Sequence, residues 1–528
     1  MSQASSASKP ESPASTPDRS SKVAGATYTQ AGQDYFQKRT LKRSTGVWGL
    51  WGLAVAAVIS GDFSGWNFGI DAAGFGGMLI AFAILVVMYY GMIFSIGEMA
   101  AAMPHTGGAY SFARSAMGPW GGLVTGAAET IEYVATTAVI VFFSASYANA
   151  ITSELLGISL DAWVWWVILY AVFIALNAAG ANISFKFAIV VSIISIGILV
   201  VFSVMALFSS ALDWSSLWNI APDPGWNEFL PHGVVPILFA LPFAMWFFLG
   251  IEELPLAAEE SHNPVRDIPR AGFWARGTLI VTGLLVLFLN TAVIGAEATG
   301  VSAEPLLDGF RAIVGDQLAA VLALFALIGL LASLQGIMFA YGRNMYSLSR
   351  AGYYPKFLSL TGRKHQTPWV ALLVGGIIGY LILVLVLIVI PGIDENAAGS
   401  ASGVILFIAV FGAVISYMMQ MVAFVVLRRR FPDAKRPYRS PTGVWGAVVA
   451  FILAFGAFLG ILLNSVFQTA VITFLVVFVV GIVLFALVGR KRLVLSPEEE
   501  YALSGGTHGD PQAEGYDAME TEVFGDKR

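Results

Sequence analysis

Runs of roughly twenty apolar residues recur along most of this chain, and each is long enough to cross a ~30 Å hydrocarbon layer as one helix. Within a bilayer every backbone N–H and C=O has to be satisfied internally, so such a chain can fold only as packed helices. Composition agrees. Of 528 residues, 57% are hydrophobic and 12% charged, about half the charged fraction of a soluble domain. The rival class is a large soluble protein with buried helices, and this many long runs speak against it. With no cysteine, neither a disulfide framework nor a cysteine metal site is available.

The expected fold is all-α and membrane-embedded. Twelve spans are read at about 46–70, 75–101, 119–150, 162–180, 186–210, 233–258, 273–297, 316–345, 368–391, 401–427, 443–464 and 468–489, with edges good to about 2–4 residues. Basic residues test the count. Twenty-eight of the 29 Lys and Arg fall on one side, and only Arg311 falls on the other. Retention of positive charge sets the orientation of membrane helices, so both termini are expected in the cytoplasm and the basic clusters read as topology anchors, with anionic-lipid contact the lesser option. The polar segments 1–45 and 491–528 are expected as disordered cytoplasmic tails, and no cleavable signal is recognised at the start. The setting is a multi-pass protein of a bacterial-type cytoplasmic membrane. Short helices are expected in the inner 104–114 loop and the outer 301–315 loop.

Two spans are interrupted by acid. In the first, Ser60-Gly61-Asp62-Phe63-Ser64-Gly65-Trp66-Asn67 places a carboxylate and three breaker residues inside an apolar stretch. In the sixth, Trp246 through Pro255 contains Gly250, Glu252 and Glu253. An ionisable group at membrane depth is expensive and marks function. A broken helix also frees backbone groups for a polar ligand at the midplane. Breaks in spans one and six fit two five-span repeats of inverted topology, about 46–210 and 233–427, with extra helices at 443–489. This is the signature of a transporter. In span three, Glu129, Glu132 and Tyr133 share one helical face, which belongs toward the central cavity rather than lipid. Ser333 and Gln335 in span eight are weaker polar candidates. Glu98 reads as structural, and Glu259 and Glu260 as partners of Arg266 or Arg270.

At these residues the chain resembles the amino acid–polyamine–organocation superfamily and, within it, the ethanolamine permease family. The superfamily marks are the interrupted first span, Pro104, Gly107, Gly108 and Tyr110 of the inner loop, Gly118-Pro119, and the run Ala258 to Pro264 continuing to Ile268-Pro269-Arg270. The narrower marks are Ile59-Ser60-Gly61-Asp62 with Gly65-Trp66-Asn67, and Ala128 to Tyr133. One departure is Asp62, where that family is expected to carry Glu.

The resemblance implies a LeuT-type fold with alternating access and import of a small amine. It implies substrate contact at Ser60, Gly61, Asp62, Phe63, Trp66, Asn67, Glu129, Tyr133, Trp246 and Gly250, with Trp246 as the gating aromatic. Amino acid permeases hold the substrate carboxylate on bare amides of the first break, where this chain has Trp66 and Asn67. Asp62 there repels a carboxylate and pairs an ammonium. The expected substrate is therefore an amino alcohol such as ethanolamine, with Asn67 or freed backbone on the hydroxyl. An amino acid, a choline-like cation or a polyamine is the alternative.

Glu129, Glu132 and Glu252 are the candidates for proton coupling. The mid-span lysine of some proton-coupled relatives is absent, since Lys186 stands at the start of span five. Sodium coupling, exchange and uniport therefore stay open beside proton symport. No cofactor, metal or nucleic acid is expected. An intramembrane enzyme is disfavoured, because none of the five histidines lies mid-span and no hydrolase motif is present. A transporter-fold nutrient sensor is the remaining rival.

Overall fold

Gly46 is the last extended residue before the first long helix, and from there the computed structural model is almost wholly helical. The structure describes residues 20–23, 26–29, 41, 44–103, 107–362, 364–389, 401–432, 436–464, 468–494, 496 and 499. Helices α1 (Val47–Val58), α2 (Phe68–Ala102), α3 (Gly108–Leu156), α4 (Ala162–Ala178), α5 (Ala181–Leu207) and α6 (Pro236–Met245) form the first half. Then follow α7 (Pro264–Ile294), two short helices α8 (Ala296–Val301) and α9 (Pro305–Val314), α10 (Asp316–Arg350), α11 (Trp369–Val384), α12 (Ala401–Arg430), α13 (Gly443–Leu463) and α14 (Gln468–Leu487).

Among the described residues, nine helices are long and apolar enough to cross a membrane. Three shorter apolar ones, Val47–Asp62, Ala162–Ala178 and Pro236–Met245, stand where spans one, four and six were read. Two glycines mark span borders inside continuous helices. Gly74 (φ 73°) separates the end of the first span from the second, and Gly118 (φ 79°) separates the inner-loop helix from Pro119 onward. Proline suits that second start because its missing N–H would be unpaired in a first turn anyway. The helix beginning at Gly108 fills part of the expected inner-loop helix, and α9 fills the expected outer one; residues 104–106 lie outside the described residues.

Burial ranks the helices. The most apolar windows of α3 and α12 are 78% and 83% buried, against 33% and 17% for α13 and α14. Helix α3 packs most extensively against α12 and α10, so these three form the centre and the last two sit outside it. The apolar residues left exposed on α5, α11 and α14 form the surface that lipid chains cover.

The tail segments next to the bundle differ from the expectation of disorder. Strands β1 (Ser20–Val23) and β2 (Ala26–Thr29) pair antiparallel, with Ser20 opposite Thr29. Strand β3 (Leu493–Val494) adds to β2 in parallel, with Tyr28 opposite Leu493. Glu499 beyond it is buried, held by Arg114 Nε at 2.5 Å and the Tyr353 hydroxyl at 3.0 Å. Backbone pairing between two chain ends is invisible to composition, which is why the polar sequence read as disorder. Residues 500–528 lie outside the described residues.

Candidate functional site: two helix breaks and a buried acid cluster

Both interrupted spans are interrupted in the structure. Helix α1 passes into a 3-10 turn at Ile59–Asp62 and non-helical residues before α2 begins. Helix α6 ends at Met245 and resumes as a 3-10 segment, Ile251–Glu260. Gly250 between them has φ 108°, which only glycine adopts without strain. The two breaks touch. The Gly61 Cα faces the Trp246 carbonyl, and the Trp246 indole packs on Gly65. The two spans are joined at a second point as well: Ser44 and Thr45 N–H donate to the Glu260 carbonyl at 2.8 and 3.1 Å.

Asp62 is buried, and neither carboxylate oxygen has a hydrogen-bond partner, although the Thr282 hydroxyl of α7 is adjacent. Phe63 is buried beside it and its carbonyl accepts from Tyr147 Oη at 3.1 Å. The Trp66 ring lies 5.5 Å from that of Phe247. The indole N–H groups of Trp66 and Trp246 are both buried without partners. The Ser60 N–H is taken by Ser333 Oγ at 2.8 Å, and that hydroxyl donates to the Ala56 carbonyl at 2.6 Å. One serine of α10 thus bridges the backbone where α1 unwinds.

Asn67 departs from its expected role. Its side-chain nitrogen donates to the Thr299 and Ser302 carbonyls, both at 2.8 Å, and its oxygen accepts from Gly65 N–H at 3.1 Å. In this conformation the amide ties the first break to the end of α8, with both of its N–H donors engaged. The reason is tertiary: the end of α8 brings the Thr299 and Ser302 carbonyls to an amide able to donate twice.

The span-three face is as spaced. Tyr133 Oη reaches Glu129 Oε1 at 3.4 Å, one turn away. Glu132 turns to the second break, where its carboxyl group and that of Glu252 face each other. Glu252 Oε2 also accepts from Gly250 N–H at 3.1 Å. A hydroxyl chain continues from this pair: Tyr417 Oη lies 3.5 Å from Glu132 Oε1, and Tyr89 Oη lies 3.3 Å from Tyr417 Oη. Gly412 permits this, since a Cβ there would come within 2.7 Å of the Ala128 carbonyl. Glu253 is also buried, but on the side of Arg343.

Asp62 does not join this cluster. Its interactions reach α7, while those of Glu129, Glu132 and Glu252 reach one another and the tyrosines. The site therefore has two separate acidic features.

At Glu259 and Glu260 the pairing differs from the sequence expectation. Glu260 pairs with Arg343 at 2.8 Å and Glu259 with Arg350 at 2.6 Å, not with Arg266 or Arg270. Arg343 and Arg350 are seven apart on α10, so both project on the face turned to the Ile251–Glu260 segment. Glu98 holds Arg428, Arg436 and the Ser440 N–H. Gln335 joins Asn177 and Ser184 in a buried polar cluster away from both breaks. The sequence reading missed Ser333 as a bridge, and missed Tyr89 and Tyr417 altogether. The available signal for the tyrosines was a hydroxyl in an otherwise apolar run, which has to find a partner when buried.

Comparison with known proteins places this architecture. A family model described as amino acid permease matches residues 49–494. The branched-chain amino acid permease BcaP of Bacillus subtilis (strain 168) is 26% identical over 87% of this chain and 96% of its own length. An uncharacterized transporter of Rhizobium meliloti (strain 1021) is 26% identical over 79% and 86%. The lysine-specific permease LysP of Lactococcus lactis subsp. cremoris (strain MG1363) is 26% identical over 79% and 81%.

Proposed function

The chain belongs to the amino acid permease family, and from that premise we propose that it imports a small ammonium compound lacking a carboxylate, with ethanolamine as the favoured substrate. The observation carrying this reading is Asp62: a buried carboxylate with both oxygens unpartnered, in the break of the first span. A lone buried acid is costly unless a cation meets it. An amino acid would bring a second carboxylate to the same break. The bulk of Trp66 and the engaged amide of Asn67 leave little there for an anion to bind.

The proposed architecture is the LeuT type, with twelve spans formed by the nine long helices and the three shorter ones, inverted repeats at about 46–210 and 233–427, and both termini in the cytoplasm. Transport proceeds by alternating access, with Trp246 closing the path between the breaks. Uptake is coupled to protons through Glu129, Glu132 and Glu252. The support is the pair Glu132–Glu252, because two facing carboxyl groups are stable only when a proton lies between them. Opening either break separates the pair and frees that proton.

A second reading has the relatives behind it. BcaP and LysP are named for amino acids, which favours an amino acid as cargo. Thermal stabilisation of the purified protein by ethanolamine, serine, lysine, choline and putrescine at several pH values separates the two. Stabilisation by ethanolamine and not by the amino acids supports the proposal. Stabilisation by serine or lysine alone replaces it with the second reading.

A further inference from the structure

A cavity of about 390 Å³ opens at the start of α7, just after the Ile251–Glu260 segment. Its wall includes Arg266, Arg270, Phe273 and Trp274 of α7, Phe94 of α2 and Tyr438 of the segment before α13. Gly97 lets these walls meet: a Cβ there would lie 3.3 Å from the Tyr438 ring and 3.6 Å from Pro269 Cβ. The neighbouring Glu98 anchors the Tyr438 segment through Arg428 at 2.5 Å, Arg436 at 3.2 Å and the Ser440 N–H at 2.7 Å.

The charges around this cavity do not balance. Arg428 and Arg436 are taken by Glu98. Arg266 and Arg270 are exposed and make no ion pair among the described residues, because Glu259 and Glu260 are held by Arg350 and Arg343. Asp267, between them, is buried and turned toward Ser261 Oγ at 3.2 Å and Asn263 N–H at 3.3 Å.

Deeper on the same helix is Arg276, 1% exposed. Its guanidinium carbon lies 3.5 Å above the Tyr90 ring, and 4.7 and 5.4 Å from the rings of Phe94 and Phe273 that line the cavity. Its Nε and Nη1 have no hydrogen-bond partner. A buried guanidinium without an anion is an uncompensated charge. Phe273 and Trp274 are 48% and 55% exposed beside it, as aromatic residues are at a membrane interface.

We propose that this cavity binds the phosphate-bearing headgroup of an anionic phospholipid from the cytoplasmic leaflet. Arg266 and Arg270 donate charge-assisted hydrogen bonds to the phosphate oxygens. Arg276 supplies fixed positive charge beneath them, and Phe273 and Trp274 pack along the glycerol and upper acyl chain. Inorganic phosphate has the same charge chemistry and no use for the aromatic wall.

The test titrates the purified full-length protein in neutral detergent with dioctanoyl phosphatidylglycerol, dioctanoyl phosphatidylcholine and inorganic phosphate, and counts bound lipid by native mass spectrometry. The glycerol lipid is expected to bind, the choline lipid not, and millimolar phosphate not to displace it. Arg266→Ala with Arg270→Ala should weaken binding on the order of 30-fold, from two lost interfacial arginines. Arg429→Ala with Arg430→Ala removes the same charge from another exposed stretch and should leave binding unchanged. Both pairs are exposed, so folding is expected to survive. Equal loss in the two double variants overturns the proposal in favour of general surface charge. Unaltered binding in the Arg266/Arg270 variant overturns it outright. Displacement by phosphate makes this a free-anion site and overturns the lipid assignment.

Discussion

A side chain on Gly61 has no room, because its Cβ would lie 2.1 Å from the Trp246 carbonyl oxygen. The two broken spans therefore cross backbone to backbone, and the residue at the crossing has to be glycine. Gly61→Ala pushes the breaks apart or strains them, at a cost of about 1–3 kcal/mol. The expected outcome is a lowered thermal midpoint together with lost uptake. A variant of wild-type stability and rate would mean the crossing is looser than this contact.

Asp62→Asn keeps the shape of the break and removes the charge. Saturable amine uptake should vanish in proteoliposomes while expression, insertion and thermal midpoint hold. Neutralising an unpaired buried acid does not destabilise, so loss of uptake reports the ammonium partner and not misfolding. Uptake at the wild-type level would end the ammonium-pairing role.

Glu132 and Glu252 face each other across spans three and six, so they are expected to act as one unit. Glu132→Gln and Glu252→Gln should change the pH profile of uptake alike, and the double variant should add little to either. Independent, additive changes would show two separate proton sites.

Ser333→Ala strips the bridge from the Ser60 N–H and the Ala56 carbonyl. A buried backbone donor left unpaired costs about 1–3 kcal/mol. Denaturation of the purified variant should show a loss in that range, and Ser333→Thr should recover part of it by restoring a hydroxyl.

Glu304, at the start of α9, accepts from Ser146 Oγ at 2.6 Å, and burial raises its carboxyl above the usual carboxylate range. The folded chain thus holds this proton more tightly than the unfolded chain. Its contribution to stability is present below the ordinary glutamate value and is lost as pH rises through the raised one. Glu304→Gln is neutral throughout. Its thermal midpoint relative to the wild type should therefore climb as pH rises above the ordinary glutamate value. A difference that stays constant with pH would show that this burial is not felt.

The helical membrane character, the interruptions at 59–67 and 246–250, and the shared face of Glu129, Glu132 and Tyr133 were all legible in the sequence. Each is set by local chemistry: apolar runs demand helices in lipid, glycines end them, and offsets of three and four share a face. Tertiary structure decided who meets whom. It separated Asp62 from Glu129, gave Glu132 rather than Glu129 to Glu252, occupied Asn67 with the Thr299 and Ser302 carbonyls, and assigned Glu259 and Glu260 to α10. Those outcomes depend on how closely helices distant in sequence approach, at contacts such as Gly61 against Trp246 and Gly412 against Ala128. No periodicity in one segment encodes that distance, because it is a property of two segments at once.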